Sequence, residues 1–255
     1  MGQEIFVCFK GEYFLLSKIP FTELPIDFPR FNSITIEYIT DQNYLTGFGI
    51  ILDEELEQTE GEKEINQFSK FFTHLLCIKS DRHIRIYPSD FECIKKDGSK
   101  RIGKSFIDRY DIEGSPVKLN IQEELLKISK SSNPHIKQYV SYLAKAIIFY
   151  QEKFPDHSII EGFKVIEYDK KFSNYNMYYS LRNILVHSPR YTKPYYKDPT
   201  ISYFKELFNK EDFDYIKYEP TLIVLDLDSA KTQKKLNKIA IGFIHHLKLY
   251  LNIDK

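Results

Sequence analysis

Several residue types are scarce in this chain, and each scarcity excludes a class of structure. Trp is absent, Met occurs twice, and the three cysteines show no CxxC spacing. The sequence therefore predicts neither a disulfide framework nor a cysteine-bound metal, and Cys8, Cys77 and Cys93 are expected to be buried, reduced thiols. No apolar run approaches the roughly 18 residues of a membrane-spanning helix, so no membrane partner is expected.

The amino-terminal segment lacks the pattern of a secretory signal. It reads MGQEIFVCFKGEYF, without a basic stretch followed by a long apolar stretch. Gly2 begins a string that is similar to a myristoylation motif, but Phe6 stands where that motif requires Ser or Thr. We therefore expect a cytoplasmic protein.

The composition is that of a folded protein with many aromatic rings. Hydrophobic residues make up 42% of the 255 positions and charged residues 28%, a balance that excludes wholesale disorder. Aromatic residues reach 15%, with 19 Tyr and 20 Phe. Such rings fill cores, and exposed ones also provide stacking surfaces for nucleobases.

The net charge of zero conceals an asymmetry along the chain. Residues 1–115 contain 14 basic and 20 acidic residues (−6), whereas residues 116–255 contain 22 basic and 16 acidic ones (+6). Turn signals at Asp97-Gly98 and at Glu113-Gly114 lie near the change of sign. We therefore predict two domains with a boundary at about 115, the second better suited to an anionic partner.

The first domain, 1–115, has the pattern of an α+β fold with antiparallel strands and one helix. Lys10-Gly11-Glu12 separates two short apolar segments and suggests a hairpin turn. Apolar residues at helical spacing predict a helix at about 62–77. Alternating apolar and polar residues predict strands at 34–38 and 83–87, and short apolar segments predict strands at 5–9, 13–16 and 45–52.

The second domain, 116–255, changes to the helical period and is predicted to be an all-α bundle. Asn133-Pro134 is typical of a helix start, and that helix is expected to end near 154. Further helices are predicted at about 175–186 and from 229 onward. The apolar segment 222–227 fits either a strand or an extended arm.

A polar row lies on the predicted helix 175–186 and its end. Tyr179, Asn183 and His187 are spaced four residues apart and share a face, and Arg182 neighbours Tyr179. The row combines an acid/base that titrates near neutrality, an amide that orients, and a permanent cation. These are the groups needed to move protons and to stabilise charge on a phosphate. A structural alternative is that Arg182 and His187 only satisfy polar groups inside the bundle.

The string Arg182-Asn183-Ile-Leu-Val-His187 resembles the signature of the HEPN superfamily. That signature has an Arg, usually followed by a polar residue, and a His four to six residues after the Arg. The helical surroundings and the turn after His187 are similar as well. The resemblance covers roughly 120–255 and leaves 1–115 as a separate sensor, regulatory or targeting domain.

The resemblance implies a metal-independent endoribonuclease that needs no cofactor and works as a homodimer through its helical domain. Such enzymes are prominent in phage defence and in toxin-type stress responses, with an antitoxin or an activator as partner. In that role His187 is the acid/base, Arg182 binds the scissile phosphate, and Asn183 orients His187 or the phosphate. Other members are non-catalytic modules that bind a nucleotide, a nucleic acid or a protein, so this alternative stays open.

A loop beyond the motif interleaves cations with aromatic rings. This pattern suits single-stranded RNA, because the rings stack on bases and the cations contact phosphates. A Pro-punctuated surface loop with partly packed tyrosines is the alternative. The residues expected to contact RNA are Tyr179, Arg190, Tyr191, Lys193 and Lys197.

Adjacent His245 and His246 point about 100° apart on a helix, so they are not expected to bind a metal together.

Overall fold

A computed structural model gives the architecture, which divides into two compact units, Met1–Gln138 and Tyr139–Lys255. None of the helices in the described part of the chain combines the length and apolarity needed to cross a membrane. The structure describes residues 4–23, 30–104, 111–112, 117–118, 121–187, 216–219, 222–225, 227 and 229–253.

The first unit combines strands with two helices, as the α+β prediction required. The helices are α1 (Gln58–Ser80) and α2 (Gln122–Ser129). The strands are β1 (Ile5–Phe6), β2 (Cys8–Glu23), β3 (Arg30–Phe31), β4 (Ile34–Asp41), β5 (Tyr44–Leu52), β6 (Leu56–Glu57), β7 (Ile86–Ile94), β8 (Lys100–Lys104), β9 (Asp111–Ile112) and β10 (Val117–Lys118).

The main sheet has the strand order β3-β4-β5-β2-β7-β8, and its neighbours are antiparallel. The short strands β9 and β10 pair in parallel with the far end of β2, and β1 pairs with β6. The predicted strands 34–38 and 45–52 are confirmed within β4 and β5. The segment 83–87 overlaps the strand β7 by only two residues, because that strand starts at Ile86.

An aromatic core lies between α1 and the sheet. The ring of Phe72 on α1 meets Phe48 on β5 edge to face, with 4.8 Å between centroids. Phe48 in turn stacks on Tyr13 of β2 at 5.4 Å. Each fully buried aromatic side chain contributes about 1.5–3 kcal/mol through its apolar surface. The predicted apolar stripe of α1 is confirmed, and its buried members include Ile65, Phe68, Phe72, Leu75 and Leu76.

The hairpin expected at Lys10-Gly11-Glu12 is wrong, because these residues lie inside the long strand β2. Gly11 pairs with Ile50 on one side and with Phe91 on the other. A Cβ at this position would lie 2.7 Å from Cγ2 of Ile65 on α1. Gly11 therefore permits the close approach of the helix to the strand, and it does not mark a turn.

The division between the units lies later than the expected boundary at about 115. Helix α2, which was not predicted and lies within the residues 116–255 expected to form the second domain, belongs to the first unit. The side chain of Gln122 accepts a hydrogen bond from the backbone N–H of Arg30 at 2.7 Å and donates to its carbonyl oxygen at 3.3 Å. The carboxylate of Glu124 accepts a hydrogen bond from Lys79 on α1 at 2.7 Å. These contacts attach α2 to the sheet and to α1.

The second unit contains four described helices and a short hairpin. The helices are α3 (Ile136–Gln151), α4 (Pro155–Ile166), α5 (Tyr175–His187) and α6 (Ala230–Leu251), and the strands are β11 (Ile216–Glu219) and β12 (Leu222–Leu225). The first residues of α3 fall on the other side of the division. The antiparallel pair β11–β12 corrects the expectation of an all-α domain.

Helix α4 packs against both α5 and α6. A Cβ at Gly162 of α4 would lie 3.0 Å from Cδ1 of Leu247 and 3.2 Å from Cε1 of Phe243, both on α6. The two helices therefore approach closely at a residue without a side chain. The core of the unit includes the buried residues Val140, Leu143, Ile147, Ile159, Phe163, Leu181, Ile184, Leu236, Phe243 and Leu247.

Candidate functional site

Helix α5 positions the motif, and its two faces differ as the sequence predicted. Its apolar stripe is buried, with Leu181 and Ile184 fully inaccessible and Tyr178 3% exposed. The buried Tyr178 stacks on Phe243 of α6 with 3.8 Å between ring centroids. Another face of the helix presents Tyr179, which is 44% exposed, and the half-buried Arg182 and Asn183.

Arg182 and Asn183 form a hydrogen-bonded pair on this accessible face. The guanidinium Nη1 of Arg182 donates to Oδ1 of Asn183 at 3.0 Å, and both side chains are half-buried. The expectation was that Asn183 orients His187 or a phosphate. The described contact holds the guanidinium of Arg182, and the orientation of His187 by Asn183 stays a prediction because the side chain of His187 lies outside the described residues.

A pair of tyrosines supports the same face one turn earlier. The rings of Tyr175 and Tyr179 stack at 6.0 Å with an angle of 13° between their planes. Phe163 of α4 packs against both rings, at 5.6 Å and 5.9 Å. The hydroxyl of Tyr175 donates to the backbone oxygen of Glu167 at 3.0 Å. The contacts with Phe163 and with the backbone of Glu167 thus hold the two rings in place.

The electrostatics of Tyr175 connect the aromatic pair with the cation. Burial raises the pKa of Tyr175, and the neighbouring Tyr179 and Glu167 raise it further. The positive charge of Arg182 acts in the opposite direction and lowers this pKa. Arg182 therefore lies within electrostatic reach of the tyrosine pair. Tyr175 was not among the site residues predicted from the sequence, although its position four residues before Tyr179 was a usable signal.

The remaining predicted site residues lie at and beyond the end of α5. His187 is the last residue of the helix, one turn after Asn183, and its side chain is outside the described residues. Arg190, Tyr191, Lys193 and Lys197 also lie outside the described residues. The structure therefore brings together Tyr179, Arg182 and Asn183 and places His187 by its backbone alone.

The adjacent histidines of α6 have a structural contact. Nδ1 of His246 lies 3.3 Å from the hydroxyl of the buried Tyr178, and the ring centroids of His245 and His246 are 6.3 Å apart. Within the described ranges, no group of three or more His, Cys, Asp or Glu side chains is arranged to hold a metal ion. His246 thus contributes to the packing of α6 against α5.

The assembled face is suited to a phosphate next to a planar ring. A guanidinium binds the oxygens of a phosphate through two parallel hydrogen bonds, and its geometry is fixed here by an amide. An exposed ring beside it offers a stacking surface for a base. No protein-family model matches the sequence, and comparisons with curated proteins and with solved structures gave no significant match.

Proposed function

We propose that this protein is a metal-independent endoribonuclease of the HEPN type that cleaves single-stranded RNA. The observation that supports the proposal most is the Arg182–Asn183 hydrogen bond at 3.0 Å, on a helix face that also exposes Tyr179. The hydrogen bond holds the guanidinium in place before the substrate binds, so little reorganisation is needed during the reaction. Such preorganisation of charged groups is the main source of their stabilisation of the transition state.

The proposed reaction is an attack of the ribose 2′-hydroxyl on the adjacent phosphorus. A base accepts the proton of the 2′-hydroxyl while the bond between its oxygen and phosphorus forms. The bond from phosphorus to the 5′-oxygen breaks, and an acid delivers a proton to that oxygen. The products are a 2′,3′-cyclic phosphate and a 5′-hydroxyl. Arg182 balances the negative charge that grows on the phosphate oxygens.

A homodimer supplies the two proton-transfer groups. Each chain offers one His187 after the motif arginine, and the reaction needs both a base and an acid. The ordinary pKa of histidine, about 6.5, suits both roles near neutrality. Two copies of α5 that face each other across one cleft would contribute two imidazoles and two guanidinium groups. Tyr179, Arg190, Tyr191, Lys193 and Lys197 would hold the RNA on either side.

The first unit would act as a sensor, regulatory or targeting domain. A defence or toxin-type enzyme must be silent until it is needed, so an antitoxin or an activator is the expected partner. The charges of −6 and +6 in residues 1–115 and 116–255 suit a regulatory part that competes with RNA. The expected compartment is the cytoplasm.

Rate measurements on substituted proteins test this proposal. Arg182→Lys keeps a positive charge but loses the planar fork, so kcat is expected to fall about 10–100-fold. His187→Ala removes an acid/base and is expected to cost about 10²–10⁴ in rate. His245→Ala, an exposed histidine of the same unit, is the matched control and keeps the wild-type rate.

Asn183→Ala separates a positioning role from a structural one. If Asn183 acts by holding Arg182, the substitution lowers kcat about tenfold with little change in KM, and the Arg182→Ala Asn183→Ala double variant is no slower than Arg182→Ala. Additive losses would contradict that role. RNA binding without cleavage, unchanged in His187→Ala, would favour the non-catalytic module instead.

A further inference from the structure

Helix α6 has a large excess of positive charge. Its 22 residues include five lysines and two histidines but no Asp or Glu. The nearest acidic residues in sequence are Asp228 before the helix and Asp254 after it. The excess is concentrated in residues 230–238, where four side chains form what we call the lysine surface: Lys231, Lys234, Lys235 and Lys238.

The lysine surface lies on the side of α6 that points away from the core. At about 100° per residue, its four members fall within a sector of about 100° and along about 10 Å of the helix. Lys231, Lys234 and Lys238 are exposed, and Lys235 is half-buried. The opposite side of the helix is buried in the unit and includes Leu236, Ala240, Phe243 and Leu247.

This arrangement is electrostatically unfavourable for the helix itself. Lys234 and Lys238 are four residues apart, a spacing at which like charges repel each other. Cations in the first turns of a helix are also unfavourable, because that end has a partial positive charge. Helices α1, α2 and α4 follow the opposite pattern, with acidic residues in the first turn and lysine in the last. A bound polyanion would remove the unfavourable interactions in α6.

A nucleic acid strand fits the lysine surface better than a membrane or an acidic protein does. Binding to a bilayer requires exposed apolar residues among the cations, but Leu236, which lies between the lysines in sequence, is completely buried. The cores of protein–protein interfaces are depleted in lysine. A phosphate backbone requires only a row of cations, and its binding is favoured by the release of counterions.

We infer that the lysine surface binds the phosphate backbone of a nucleic acid strand, independently of its sequence. Lys234 and Lys238 lie about 6 Å apart along the helix and donate hydrogen bonds to separate phosphates. Lys231 and Lys235 have further contacts within the chain, so the test uses Lys234 and Lys238. The inference concerns binding alone and does not depend on cleavage of the strand.

Binding of a strand that cannot be cleaved tests the inference. The probe is a fluorescein-labelled, single-stranded 2′-O-methyl RNA of about 20 nucleotides, which is titrated with the full chain and followed by anisotropy. We expect a Kd of about 1–100 µM at about 0.1 M salt. The double variant Lys234→Gln Lys238→Gln is expected to raise the Kd about tenfold. It is also expected to reduce the slope of log K against log salt concentration by about 1.4, because each phosphate contact of a single strand contributes about 0.7.

Two matched variants separate this surface from net charge and from folding. Lys63→Gln Lys70→Gln removes the same two charges from exposed positions of α1 and is expected to change the Kd less than about twofold. Lys234→Arg Lys238→Arg keeps both charges and is expected to keep the wild-type slope. Because repulsion is removed, the urea midpoint of Lys234→Gln Lys238→Gln is expected to equal or exceed that of the wild type.

Four results would overturn the inference. It is wrong if the chain at about 300 µM does not bind the probe, or if the two glutamine double variants weaken binding equally. A lower urea midpoint for Lys234→Gln Lys238→Gln would assign these lysines to the stability of the helix. Equally strong binding to phosphatidylserine vesicles, lost in the same variant, would assign the surface to a membrane. Cleavage of unmodified RNA by a protein whose Lys234→Gln Lys238→Gln variant binds the probe normally would refute this surface and leave the nuclease proposal standing.

Discussion

Two helical glycines of this protein are expected to respond in opposite ways to the same added methyl group. Gly61 lies in α1, and an ideal Cβ there would overlap three carbon atoms of the Phe9 ring. Gly242 lies in α6, and an added Cβ meets no atom within 4 Å. The pair therefore isolates packing from intrinsic helix propensity.

The magnitudes follow from the surroundings. Replacing Gly by Ala in a helix gains up to about 1 kcal/mol, which is the whole effect expected at Gly242. At Gly61 the methyl group must displace Phe9, which is completely buried and packs on Phe6 with 6.0 Å between centroids. Overpacking of this kind costs about 1–3 kcal/mol, which exceeds or offsets the gain in helix propensity, so Gly61→Ala is expected to lose about 0–2 kcal/mol net.

Urea unfolding followed by far-UV circular dichroism and by tyrosine fluorescence measures both changes. Gly61→Ala is expected to lower the midpoint of the transition of the first unit with an unchanged m-value. Gly242→Ala is expected to raise the midpoint of the second. If Gly61→Ala stabilises the protein as much as Gly242→Ala does, the close packing of α1 on β2 is refuted.

Three further substitutions or reactions probe other parts of the structure. Lys79→Met leaves the carboxylate of Glu124, which is 5% exposed, buried without its cation. The substitution is expected to lower the unfolding free energy by about 3–5 kcal/mol. A loss below about 1 kcal/mol would argue against this ion pair. Burial raises the pKa of Cys8 and of Cys77 to about 11, so the reactive thiolate is scarce at pH 8. Iodoacetamide is therefore expected to alkylate these thiols about a hundredfold more slowly in the folded protein than in the unfolded chain. Equal alkylation rates would contradict this burial. Tyr178→Ala is expected to lower the unfolding free energy by about 3–5 kcal/mol and Tyr178→Phe by about 1 kcal/mol or less, as measured by urea unfolding. Similar losses for both variants would show that the ring is not the main contribution.

The predictions that were confirmed rest on simple periodicity. Helix α5 and the first and last helices of the chain were found because their apolar residues recur at helical spacing. Strand β4 was found because its apolar and polar residues alternate. In these helices and in β4 one face is buried and the other is accessible, so the burial pattern is visible in the sequence. Strand β5 was found as a short apolar segment, and its residues 45–50 are buried on both faces.

The errors arise where one residue type serves two structural purposes. Gly11 was interpreted as a turn, but it makes room for Ile65 in the middle of a strand. The helix expected to end near 154 ends at Gln151, but Pro155 is also the first residue of α4, a helix that was not predicted, where a missing N–H has no cost. Helix α2 was not predicted, and the residues that hold it in the first unit, Lys79 and Arg30, are distant from it in sequence.

The candidate site was partly visible in the sequence. The i,i+4 rule placed Tyr179 and Asn183 on one face, and the accessible side of α5 agrees with it. The hydrogen bond between Arg182 and Asn183 joins neighbours in sequence and depends on rotamers, which spacing does not specify.

The most direct test of the proposed function is the chemistry of the RNA ends. Wild-type protein and His187→Ala are incubated with one labelled single-stranded RNA in EDTA, and the ends of any fragments are determined by mass spectrometry. We expect cleavage by the wild type alone, with 2′,3′-cyclic phosphate ends and an activity that falls on dilution below the dimer concentration. Fragments with other ends, or equal cleavage by His187→Ala, would contradict a site built on α5.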